Sequence, residues 1–276
     1  MNSKFTVRFR GVRGSIPCPG PETVRYGGNT PCVEVRCGDR LLIFDGGTGI
    51  RPLGNALMAQ GTPIDADIFF SHCHVDHVEG LPFFAPFYQA EHSFRLWAGN
   101  LSPPFGIEKV LQSLMSHPLF PIEVSAFNAK VFYRDFRAGE VLHPCDDVTL
   151  RTAPLDHPDG ATGYRLEYSG RVLAYLTDNE GPPGVFDPGV VALARGADLA
   201  IYDCTFTEDE ITSKAGWGHS TWRDGLRLAD EAGVKTFCMF HHNPDHDDAA
   251  MDAIAAEARK TRPGTIVAIE GSVFEL

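Results

Sequence analysis

The stretch IFFSHCHVDHVEGLPFF (68–84) places His72, His74, Asp76 and His77 within six positions, directly after a run of apolar residues. Buried imidazoles and carboxylates are costly unless they are paired or bound to a metal. On an extended strand end alternate side chains point the same way, so His72 and His74 can converge on one ion. Where the chain turns, Asp76 and His77 can swing toward a second. Neutral imidazole with carboxylate suits zinc, manganese or iron and requires no thiolate, so Cys73 is expected to point away.

These groups need a rigid mount, and the surrounding pattern supplies one. CVEVRCGDRLLIF (32–44) reads as two strands around a Gly38-Asp39 turn, ending at Asp45 and the corner GGTG (46–49). A helix is expected from Ile50 to about Gln60, then a short apolar strand Ile68–Phe70 leading into the histidines. The order recurs from Gly163: two strand-like runs around Ser169-Gly170, then Asp178, a helix over Val185–Arg195, and the apolar strand Leu199–Tyr202 into Asp203. A helix over Thr221–Ala232 and a strand over Thr236–Phe240 follow, ending in His241-His242, with a further helix over Asp248–Arg259. The expectation is an α/β fold of two pseudo-equivalent halves packed sheet against sheet with helices outside. Polar clusters then meet where strands end.

The chain has 276 residues, 43% hydrophobic and 22% charged, the composition of an ordinary globule. Residues 1–276 are read as a single domain. The segment 98–136, apolar and proline-rich, is read as a lid carrying a short helix over Ile107–Ser116. No apolar run reaches the roughly 20 residues of a membrane span, and MNSKFTVRFRGVRG lacks the apolar block of a leader, so no membrane partner is expected. Seven cysteines without paired spacing point to reduced thiols and a cytoplasmic setting.

HCHVDH after an apolar strand resembles the signature of the metallo-β-lactamase superfamily. The resemblance implies a four-layer αβ/βα sandwich with two divalent metals at the seam, zinc foremost, with manganese or iron as alternatives. It also implies the remaining ligands: His157 with the first metal, Asp178 bridging, and His241 with the second. His242 is the competing neighbour, and His246 reads as surface or capping chemistry.

The order YDCTF (202–206), GHST (218–221), helix and strand into His241 is similar to the tRNA 3′-processing endonuclease (RNase Z) type of phosphodiesterase. That similarity implies His219 as the group protonating the leaving oxygen and Asp203 as its partner, so the expected catalytic residues are Asp76, His219 and Asp203. The expected activity is binuclear, metal-dependent hydrolysis of a small or cyclic phosphodiester through a metal-bridging hydroxide. The alternatives are a lactone, thioester or lactam hydrolase with the same metals, and a non-catalytic metal-binding module. A formal charge of −12 and the absence of a tRNA-holding arm make tRNA a poor match, leaving a small-molecule phosphodiester as partner and homodimerisation open. Arg13, in GVRGSIP (11–17), could reach a phosphate but stays outside the expected site.

Overall fold

The computed structural model describes residues 4–182 and 184–276. Its first half builds β1 (Phe5–Gly11), β2 (Cys32–Cys37), β3 (Arg40–Phe44), α1 (Ile50–Met58), β4 (Asp65–Phe70), α2 (Val75–Val78), β5 (Ser93–Ala98), α3 (Ile107–Leu114) and β6 (Lys130–Asp135). Gly38, at φ +59°, makes the tight turn between β2 and β3. The strands β3, β4 and β5 then run parallel, as the intervening helical connections require.

The second half contributes β7 (Val141–Cys145), β8 (Val148–Leu155), β9 (Ala161–Tyr168), β10 (Arg171–Leu176), α4 (Pro188–Ala194), β11 (Leu199–Asp203), α5 (Glu208–Ile211), α6 (Trp222–Glu231), β12 (Thr236–Phe240), α7 (Asp248–Thr261) and β13 (Ile266–Val267). Here β9 and β10 form the hairpin, and β10 to β13 are parallel neighbours. The last strand, β14 (Val273–Glu275), crosses back to pair with β1. The sheet orders are β14-β1-β2-β3-β4-β5-β6 and β13-β12-β11-β10-β9-β8-β7 among the described residues. This is the expected sandwich with its repeated hairpin, helix and parallel strand.

The helix expected over 185–195 starts instead at Pro188. Proline favours the first helical turn, and the Asp187 side chain accepts from Gly189 N at 2.7 Å. In the segment 98–136, residues Lys130–Asp135 form the edge strand β6, while Ile107 and Leu111 of α3 pack into the outer cluster with Phe84, Phe94 and Leu96.

Between the sheets lies a continuous apolar layer. Phe44 sits at its centre, with ring centroids 5.7 Å from Phe69, 5.4 Å from Tyr164 and 5.2 Å from Tyr175. The tyrosines come from the second sheet and end in hydroxyls that reach the first, Tyr164 donating to Phe70 O at 2.6 Å. A buried tyrosine hydroxyl must find such a partner, so the packing also fixes the relative position of the two sheets. Truncation of Phe44 would leave a void among three rings. Phe44→Ala is expected to cost about 3–5 kcal/mol, read as a lowered urea midpoint, and a loss under 1 kcal/mol would show that the sheets are held together elsewhere.

Candidate active site

Most of the groups expected to do chemistry sit at or just beyond a strand end, and His219 stands in the loop before α6. Ser71 and His72 follow β4, His157 follows β8, Asp178 follows β10, Asp203 closes β11, and His241 follows β12. The short helix α2 carries Asp76 and His77 back over the same spot. Three non-glycine residues here, Asp45 (φ +60°), Asp178 (φ +57°) and His241 (φ +61°), hold left-handed backbone, which turns the chain sharply as it leaves the sheet. Such conformations cost of order 1–3 kcal/mol each, and they cluster where function over-determines structure.

Four histidines share one arrangement: Nδ1 is occupied by protein and Nε2 is turned inward. His77 Nδ1 lies 2.9 Å from Asp45 Oδ2, and His157 Nδ1 donates to Gly218 O at 2.8 Å. The hydroxyl of Thr205 donates to His241 O at 2.8 Å, so it accepts from His241 Nδ1 at 3.0 Å. Ser71 Oγ donates to Asp45 Oδ2 at 2.8 Å and accepts from His72 Nδ1 at 3.1 Å. His74 differs, with Nδ1 inward at 3.0 Å from His157 Nε2. Fixing the far nitrogen sets the tautomer of each ring and directs the other nitrogen as a ligand.

The inward atoms fit a pair of divalent ions. His72, His74 and His157 offer donor atoms within 4.8 Å of one another, as do Asp76, His77 and His241. Asp178 stands between the groups, Oδ1 at 3.9 Å from both His72 Nε2 and His157 Nε2 and 3.3 Å from His241 Nε2, with Oδ2 3.3 Å from His77 Nε2. His72 Nε2 and His77 Nε2 are buried without a hydrogen-bond partner, a state proteins rarely tolerate for polar atoms. A cation among them resolves it. Burial holds His72 and His157 below the usual histidine range and so keeps them neutral, the form that ligates. Burial also acts to lower His77, but Asp76, Asp178 and Asp45 outweigh it and raise it well above that range.

Beside these groups lies a second unit. His219 Nδ1 donates to Asp203 Oδ2 at 2.7 Å, and its ring stacks on His241 at 4.9 Å. Asp203 is fully buried and also accepts from the amides of Asp178 (3.1 Å) and Thr205 (3.0 Å). Burial alone would lower His219, but Asp203, through charge and hydrogen bond, and then Asp178 and Asp76 push it up to about 9.

The neighbours left open by the sequence are elsewhere. His242 Nε2 lies 2.8 Å from Ala268 O, and His246 Nε2 pairs with Glu210 at 2.8 Å. Arg13 is buried, and its guanidinium donates to the carbonyls of Gly27, Asn243 and His246, so it braces the loop after His241 instead of facing a substrate. Gly14 lets that loop close in, because a Cβ there would stand 2.4 Å from His241 Nδ1. Asp45 was missed as a site residue. Its mirror position to Asp178, after the matching hairpin, was the available signal.

A model of the beta-lactamase superfamily domain matches residues 40–242, a span that contains His72, His74, Asp76, His77, His157, Asp178, Asp203, His219 and His241. The chain belongs to the beta-lactamase superfamily. Within that superfamily it is 26% identical over 305 residues to the ribonuclease Z of Haloarcula marismortui, covering 96% of this chain and 94% of the relative. The metallo-β-lactamase fold protein YhfI from Bacillus subtilis superposes with a TM-score of 0.74 at 20% identity, covering 99% of this chain and all of the other. The short form of human tRNase Z does so with a TM-score of 0.68 at 18% identity, covering 98% of each. These relatives correct the expectation that tRNA is a poor match, since proteins of this architecture and extent are named for RNA and tRNA. Charge summed over a whole chain does not describe the one face where a substrate docks. No helix among the described residues is long and apolar enough to cross a membrane.

Orientation of the inward nitrogens rests on the residues behind them. Asp45→Asn, which keeps the side-chain size but weakens the acceptor for His77, is expected to lower zinc affinity by roughly 10–100-fold. Competition with a chromogenic chelator would measure this, and wild-type affinity would remove Asp45 from the site.

Proposed function

We propose that this superfamily hydrolase is a binuclear metal-dependent phosphodiesterase, and the observation that carries the reading is the buried His219–Asp203 pair standing over the metal-ligating cluster. His72, His74 and His157 would hold one ion, Asp76, His77 and His241 the other, with Asp178 shared. Nitrogen and oxygen donors put zinc first, with manganese and iron as alternatives. When bound, the ions supply an activated water and neutralise charge on the phosphoryl oxygens.

The chain's own residues account for the rest. Asp203 accepts a hydrogen bond from His219 Nδ1–H and keeps the ring protonated, which leaves Nε2–H as the proton available to a departing alkoxide. Three further backbone amides, those of Asp178, Thr205 and Ser220, hold the Asp203 carboxylate and so hold the ring. The amide of Ser15 donates to Asp76 Oδ2 at 2.8 Å and orients that carboxylate. Hydrolysis of a lactone, thioester or lactam at the same ions would leave this pair without a task, which is why the phosphodiester reading is preferred.

The relatives' name makes RNA the first natural substrate to assay, with small phosphodiesters as simplified probes. The reading treats residues 1–276 as one hydrolase unit. The contact of Phe83 with Phe120, ring centroids 5.6 Å apart, supports a covering role for the stretch near 117–122, because Phe83 lies just beyond the histidine cluster. The unpaired state of all seven cysteines supports a reducing compartment, the cytoplasm.

Metal-loaded protein should turn over bis(p-nitrophenyl) phosphate, and chelator-stripped protein should not. His219→Ala should cost roughly 10²–10⁴-fold on a phosphodiester with an alkyl leaving group. The loss should be far smaller with nitrophenolate, which leaves without a proton. Equal losses on both, or turnover confined to carboxyl esters, would defeat the reading.

A further inference from the structure

The loop between α5 and α6 carries a feature the hydrolytic reading does not use. Trp217 is 57% exposed, whereas Trp222 is buried in the outer core and Trp97 stacks on Phe69. An exposed indole on an ordinary surface loop would need no comment, but this one is built into position. The amides on either side of it, Gly216 N and Gly218 N, donate to the two carboxylate oxygens of Glu180 at 2.8 and 2.7 Å. Both glycines hold positive φ, +83° and +85°, so the chain can kink on each side of the tryptophan. Trp217 N donates back to Lys214 O at 3.1 Å. The Lys214 ammonium stands 4.0 Å from the indole centroid, adding a cation to the ring face.

The loop is also tied to the chemistry. Gly218 O holds His157, and the next residue is His219. With consecutive Cα atoms 3.8 Å apart, Trp217 and His219 lie within about 7.6 Å of each other, Cα to Cα. An aromatic face with an attached cation, on a loop two residues from the proposed general acid His219, matches the surface that binds a nucleotide: the ring stacks a base and the cation meets a neighbouring phosphate.

We infer that Trp217, with Lys214, is a stacking subsite for the nucleobase next to the scissile phosphodiester, held in place by the Glu180 clamp. The inference rests on the phosphodiesterase reading and narrows its substrate class to base-bearing phosphodiesters. It makes Trp217 a specificity residue that touches the substrate away from the reacting atoms.

The test compares two substrates with the same leaving group, thymidine 5′-(p-nitrophenyl phosphate) and methyl p-nitrophenyl phosphate. The wild-type protein should prefer the thymidine ester. Trp217→Ala should lower the ratio of the two kcat/KM values roughly tenfold through KM for the thymidine ester, while Trp217→Phe keeps most of the preference. An unchanged ratio in Trp217→Ala, or one lost equally in Trp217→Phe, overturns the subsite. Should the wild-type protein hydrolyse neither substrate, the phosphodiesterase reading fails by itself. The subsite is then decided by anisotropy of a fluorescein-labelled oligoadenylate on the metal-loaded protein. Binding weakened roughly tenfold by Trp217→Ala and retained by Trp217→Phe supports it. Equal binding by all three proteins, or no binding by the wild type, rejects it.

Discussion

One buried carboxylate ties the two sheets and the candidate metal centre together. Asp45 is fully buried and accepts from Ser71 N at 2.7 Å, Ser71 Oγ at 2.8 Å, His77 Nδ1 at 2.9 Å and Tyr175 OH at 2.7 Å. The first two donors belong to the end of β4, the third to α2, and the fourth to β10 of the opposite sheet. A buried charge persists only when its lone pairs are filled. Filling them here brings the histidine helix, the strand end before it and the second half of the sandwich to one point. Removing any partner leaves a charge or a donor stranded in a water-poor interior, where its cost is greatest.

The same logic repeats around the seam with different acceptors. Gly218 O, Thr205 Oγ1 and Ser71 Oγ do for His157, His241 and His72 what Asp45 does for His77. Asp45, Ser71 and Thr205 follow strand ends and Gly218 lies in the loop before α6, so the positions of these ring nitrogens follow from backbone geometry more than from side-chain freedom. Left-handed backbone at Asp45, Asp178 and His241 is the cost of bending the chain there. The aromatic layer beneath, centred on Phe44, provides a stiff base against which that strain is held.

Much of this was legible in the sequence because it rests on local pattern. The two hairpins, the short apolar strands and the polar residues closing them lie within a few positions of one another, and period and turn chemistry report on that range. The preference for His241 over His242 as a ligand also follows a local rule; in the structure His241 faces Asp178 and His242 faces Ala268 O. What escaped depends on contacts across the fold. Arg13 belongs outside the site by sequence, but its partners, the carbonyls of Asn243 and His246 more than 200 positions away, are visible only in the fold. Asp45 looks like a turn residue until Tyr175 arrives from the other sheet. The pairing of β1 with β14, first strand with last, has no local trace.

The misreading of tRNA has a physical origin of the same kind. A formal charge of −12 counts every carboxylate alike. Yet Asp45, Asp76, Asp178 and Asp203 are buried in the site, each beside a histidine nitrogen. Their charge is spent on holding the centre together and contributes little repulsion to an approaching polyanion. A partner senses the potential of the face it meets, and fields from charges elsewhere on the surface are screened within about 8–10 Å at ordinary salt. On this face stand the histidine and aspartate cluster that could hold metal ions, the His219 ring, and the loop that carries Lys214 beside Trp217. An acidic chain and an anionic substrate are therefore compatible once charge is assigned to places instead of being summed.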